Sequence, residues 1–90
     1  MQFVVDKDGK LIKIKKVTKN DKVVVVPDNV KTIGHSAFYA HKNIEEIILP
    51  DTITTIGPYA FQDCKSLKKI NLPDSITSIE ESAFYNCEQC

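Results

Sequence analysis

The chain has 90 residues, with twelve lysines, no arginine, no tryptophan and twelve acids, and a formal net charge of zero. That balance argues against a polyanion-seeking molecule, and the missing guanidinium fork argues against dedicated nucleic-acid or phosphate readout. A domain of this size buries only about 60 to 65 per cent of the surface of its unfolded chain, so its margin of stability is thin.

The charge is uneven along the chain. Residues 1–22 carry seven lysines against three aspartates, whereas residues 44–90 carry eight acids against three lysines. No run of 18 apolar residues occurs, so no membrane-spanning helix is expected. The opening Met1 to Asp6 has neither a basic segment nor an apolar one, and no signal peptide is visible. Three cysteines are too few and too irregular for a disulfide framework.

In chain order, Phe3 to Val5 and Leu11 to Ile14 predict two short strands joined by a tight turn at Asp6-Lys7-Asp8-Gly9. Lys13, Lys15 and Lys16 interleave with Ile12, Ile14 and Val17, which predicts one dry and one wet face. Residues 1–20 are expected to form a β-hairpin lid over the first coil of a repeating body, with a basic binding patch as the alternative.

From Asp21 onward the chain repeats itself every 23 residues, in windows 21–43, 44–66 and 67–90. Pro-Asp falls at 27/28, 50/51 and 73/74, and Ala-Phe at 37/38, 60/61 and 83/84, without insertion or deletion. The middle and last windows share ten identities, and the first and middle share eight. Fixed self-similarity of this kind marks a solenoid, in which each coil buries its apolar side only against its neighbours. Three coils are expected. In each, a short strand points alternate residues inward, Val24 with Val26, Ile47 with Leu49 and Ile70 with Leu72, leaving Val25, Ile48 and Asn71 facing out. Proline then ends the strand, and the adjoining Asp28, Asp51 or Asp74 is expected to cap the turn by accepting backbone N–H groups. Val30 and Ile33, with their equivalents, turn a corner. The stretch through Ala-Phe predicts a short outer helix, with Pro58 at its first position and Glu80 and Glu81 near an N-terminus.

The pattern L-x-x-I-x-L-P-D-x-I-T-x-I-x-x-x-A-F-x-x-C, spelled by Leu67 to Cys87 and echoed in the two earlier windows, resembles the BspA-type leucine-rich repeats. The resemblance implies an α/β fold, a right-handed solenoid with parallel strands on its concave side and short helices outside. It also implies a surface or secreted setting and binding of host or matrix proteins.

No catalytic residue, metal site or cofactor is expected. His41, Cys64 and Cys87 occupy one position in successive windows, where a core role outweighs chemistry, although Cys87-Glu88-Gln89-Cys90 spells C-x-x-C. Cys90 is expected to be an exposed thiol able to cross-link chains. His35 has no evident Ser or acid partner. Tyr39 and Tyr85 share a register with Gln62 between them and form a candidate contact patch. The leading reading is a non-enzymatic protein-binding module, and Val23, Val25, Glu46, Ile48, Lys69 and Asn71 are its candidate contacts. The alternative is a self-assembly unit or a piece of a longer array. It would pair through an uncapped C-terminal edge made of Ile70, Leu72, Ile76, Ile79, Phe84 and Cys90, with a homodimer as the favoured form. No nucleic acid or membrane partner is expected.

Overall fold

The computed structural model describes residues 1–90. Strands β1 (Gln2–Val5) and β2 (Lys10–Lys15) pair antiparallel. Between them Asp6 N–H donates to Lys10 O (3.0 Å) and Gly9 N–H donates to Asp6 O (3.1 Å), with Gly9 at φ 82°. Glycine suits that left-handed position because it has no Cβ to crowd the backbone. The Asp6 carboxylate accepts from the Asp8 and Lys10 amides, at 2.9 and 3.0 Å. The Lys10 bond holds this carboxyl below its usual range. Val4 pairs with Lys13 but Val5 with Leu11, so Ile12 is the extra residue of a bulge. The bulge breaks the expected alternation: Leu11 and Ile14 are buried, while Ile12, expected on the dry face, is 42% exposed.

The repeating windows build two sheets, not one. β3 (Val23–Val25), β5 (Glu46–Ile48) and β7 (Lys69–Ile70) stack in parallel, with Val24 opposite Ile47 and Ile47 opposite Ile70. The expected corner is itself a ladder. β4 (Thr32–Ile33), β6 (Thr55–Ile56) and β8 (Ser78–Ile79) pair in parallel at the same 23-residue offset. The hairpin joins this second sheet, because β2 pairs in parallel with β4 and gives the order β1-β2-β4-β6-β8. The Gly9 carbonyl also accepts from Lys31 N–H at 2.7 Å, fastening the hairpin turn to the first window.

The Pro-Asp turn between the two strands of a window closes through its backbone. Val30, Ile53 and Ile76 donate to the carbonyls of Pro27, Pro50 and Pro73, at 3.2, 3.2 and 3.1 Å. Asp28, Asp51 and Asp74, expected to cap these turns, stay exposed and their carboxylates accept no hydrogen bond.

No helix forms on the outer side, contrary to the expectation from Ala-Phe spacing. Two residues per window sit in the left-handed region: Ser36, Tyr59 and Ser82 at φ 54–56°, and Ala40, Asp63 and Asn86 at φ 57–60°. A right-handed helix cannot run through such positions. Hydrogen bonding gives the reason for them. In the first window Ala37, Tyr39 and His41 donate within the window, to Gly34, Ser36 and Phe38. The residues between them, Ser36, Phe38 and Ala40, donate to Pro58, Ala60 and Gln62 of the next window (3.1, 2.8 and 2.9 Å). A helix would keep every one of these donors to itself and leave the neighbouring window's carbonyls unsatisfied.

The core fills the space these elements enclose. Val24, Val26, Ile47, Leu49, Ile53 and Ile56 are buried there together with Leu11, Ile44 and Leu67. Phe38, Phe61 and Phe84 form a column, with ring centroids 5.2 and 5.1 Å apart and planes inclined by 23° and 16°. That spacing is close to the ~4.8 Å between neighbouring strands, so each ring rides on its own window. Gly34 and Gly57 lie where a Cβ would stand 2.5 Å from Leu11 O and 2.7 Å from Ile33 O, so close backbone approach, not positive φ, selects them.

Candidate protein-contact face

The outward side of the β3-β5-β7 sheet is set by strand alternation. Val24 and Ile47 are buried, so the flanking residues turn to solvent. Val23 (49% exposed), Val25 (61%) and Ile48 (40%) form an apolar strip across two strands, with Val25 directly opposite Ile48. Val23, Glu46 and Lys69 continue one another in register. Glu46 Oε2 and Lys69 Nζ are 3.9 Å apart at the surface, where such a pair contributes little. The face is therefore apolar at its N-terminal end and polar at the other.

Asn71 does something the sequence does not reveal. Its Oδ1 accepts from Leu49 N–H (2.7 Å) and its Nδ2 donates to Leu49 O (2.9 Å). The side-chain amide replaces the backbone ladder just where β7 ends, so its polar atoms are occupied within the fold. No sequence signal announces it; in the structure it accompanies a β7 of two residues against three in β5.

The other candidate residues fall outside this face. Leu72 and Ile79 are about half exposed at the outer edges of β7 and β8, while Ile70, Ile76 and Phe84 pack partly against the core. Cys90, expected to be a free exposed thiol, is joined to Cys87 in a disulfide. Cys64 is the one free cysteine. It is buried, its Sγ–H donates to Phe38 O (3.0 Å), and burial pushes its pKa up to about 12. His41 is half-buried at the equivalent position, and desolvation lowers its pKa. His35 does have a serine partner: its Nδ1 lies 3.0 Å from Ser36 Oγ, the adjacent residue. The pair is exposed and no carboxylate bonds to the ring, so it lacks the third group that would orient a base. On the outer surface Tyr39 and Tyr85 are exposed, and the Tyr59 ring packs edge-on against Tyr85 at 6.3 Å. No group of three or more His, Cys, Asp or Glu side chains comes together as a metal site would require.

A family profile described as the BspA type leucine-rich repeat region matches residues 15–90, counting six copies. A search of the curated proteins found no match. Among solved structures, a leucine-rich repeat protein of T. pallidum superposes with a TM-score of 0.84 at 28% identity, over 98% of this chain and 44% of that one. The pneumococcal vaccine antigen PcpA gives 0.86 at 30% identity, over 94% and 21%. A leucine-rich cell surface protein of Faecalibacterium prausnitzii gives 0.78 at 26% identity, over 97% and 26%. The chain thus spans less than half the length of each of these proteins.

Proposed function

The chain belongs to the BspA-type leucine-rich repeat family, and from that premise we propose that it is a non-enzymatic protein-binding module, displayed at a cell surface or secreted. The observation that carries this reading is the apolar strip of Val23, Val25 and Ile48, open to solvent on a parallel sheet. Apolar side chains gathered on an extended repeat surface are how such proteins dock others. The F. prausnitzii neighbour, named a cell surface protein, supports the setting. In this reading residues 1–20 act as a lid and the three coils 21–43, 44–66 and 67–90 carry the contact face. The test is surface plasmon resonance against immobilised extracellular matrix proteins, with the Val25→Glu/Ile48→Glu double variant as comparison. Binding lost in a variant of unchanged circular dichroism is the expected result. Binding that survives both substitutions refutes this face as the site.

A second reading rests on a different observation. The outer edges of β7 and β8 are unpaired, and Leu72 and Ile79 lie exposed beside them. An open parallel edge recruits another strand, from a second copy or from further coils of a longer array. Light scattering tests the first of these, and a monomer that survives concentration refutes the dimer.

A further inference from the structure

A cavity of about 350 Å³ opens where the hairpin's exit segment meets the end of the first window. Three lysines, Lys16, Lys19 and Lys42, line it and no carboxylate does. None of the three takes part in an ion pair; of the twelve lysines, Lys22, Lys65 and Lys69 do, each with a glutamate across the 23-residue offset. The carboxylate bonded to a lining residue is that of Asp21, which accepts from the Thr18 N–H (2.8 Å) and hydroxyl (3.3 Å). Ile14 and Ile44 are buried at its base, and the half-buried Val17 and Ala40 are its accessible apolar lining.

Two departures from regularity meet at this spot. Lys16 adopts φ 55°, a left-handed conformation that crowds the Cβ of any residue but glycine and is retained where the surroundings impose it. His41 replaces the cysteine that the other two windows carry at its position, bringing an imidazole to the wall in place of a small thiol. Three exposed lysines lining one concavity give it a positive potential, and a concave wall concentrates that field. Lysine serves phosphate and sulfate well as a point charge, without the fork that arginine supplies.

We propose that this cavity binds an anionic ester, a phosphate or sulfate group held by Lys16, Lys19 and Lys42 with its organic body resting on Val17 and Ala40. The volume suits a ligand of one or two rings, since small-molecule pockets begin at about 300 Å³. The site lies off the β3-β5-β7 face and stands independently of the protein-binding reading.

The test is a titration of the isotope-labelled 90-residue chain with phenyl phosphate, phenyl sulfate and neutral benzyl alcohol, monitored through its amide resonances. Saturable shifts centred on Thr18, Lys42 and Asn43 are expected with at least one of the two esters and not with the alcohol. The two esters distinguish phosphate from sulfate as the preferred head. In the Lys19→Gln/Lys42→Gln variant the dissociation constant should rise by about 10-fold, each exposed charge contributing a factor of about 3. Both positions are exposed, so the variant keeps its fold, and Lys65→Gln should leave binding unchanged. Absence of saturation with either ester, or affinity equal in the double variant and the parent, overturns the proposal.

Discussion

Truncation of Phe61 puts the shared interior to its hardest trial. The ring is fully buried and lies between two others, 5.2 Å from Phe38 and 5.1 Å from Phe84. Removing a buried phenylalanine ring costs about 3 to 5 kcal/mol. Two stacked partners, each contributing about 0.5 to 1.5 kcal/mol beyond area burial, place Phe61→Ala in the upper part of that range. A 90-residue domain is stable by about 5 to 13 kcal/mol, so the variant loses from about a third to nearly all of that reserve. Phe84 has one ring neighbour and is only partly buried, so Phe84→Ala should cost roughly half as much, about 2 kcal/mol. Urea titrations read by far-ultraviolet circular dichroism measure both. Phe61→Leu, which keeps most of the volume and should cost about 1 to 2 kcal/mol, provides a measurable point if Phe61→Ala does not fold. Equal losses for the alanine variants at 61 and 84, or a larger one at 84, would refute the idea that each ring is stabilised by the rings above and below it.

Gly57→Ala should destabilise by about 1 to 3 kcal/mol, an order of magnitude set by forced overpacking, because its methyl would meet Ile33 O at 2.7 Å and Gly34 C at 3.1 Å. A thermal melt unchanged by the substitution would show that the neighbouring windows slide apart without cost. The Cys64 thiol, with its pKa raised from 9.0 to about 12 by burial, should resist alkylation in the folded protein at pH 8 and react only after unfolding. Between pH 9 and 12 the unfolded chain has lost this proton while the folded chain keeps it. Stability from this group is therefore complete below pH 9 and declines as pH rises towards 12, by about 1.4 kcal/mol per pH unit. Cys64→Ala should flatten that alkaline decline in a pH series of urea melts.

Much of this architecture is legible in the sequence because 23-residue spacing forces equivalent residues into equivalent places. Val24 with Ile47 and the phenylalanine column come from that spacing alone. The outer segment misleads for a physical reason. Ala37, Phe38 and His41 have helical spacing, but Ser36 and Tyr59 carry no glycine-like mark of their left-handed backbone. The demand comes from carbonyls of the adjoining window, which no local stretch of sequence displays. The second sheet is hidden similarly, since Thr32–Ile33 is too short to announce a strand without β2 and β6 on either side. On the outward side of the β3-β5-β7 sheet, alternation places Val25 and Ile48 but is silent on Asn71, whose amide is claimed by Leu49. The lysine-lined cavity is the least visible feature, because it joins residues 16–19 to residues 40–44 across a fold, and the pattern of charges alone offers only a basic hairpin.

The left-handed pairs Ser36 and Ala40, Tyr59 and Asp63, Ser82 and Asn86 recur with nearly identical angles, and the bonds crossing from one window to the next recur with them. A tandem duplication of residues 44–66 would therefore find matching donors and acceptors on both sides, and the molecule would grow by about 5 Å along its axis without any residue elsewhere being renegotiated. Length along the axis becomes a quantity that unequal crossing-over can tune in whole steps, separately from the side chains that the outward face displays.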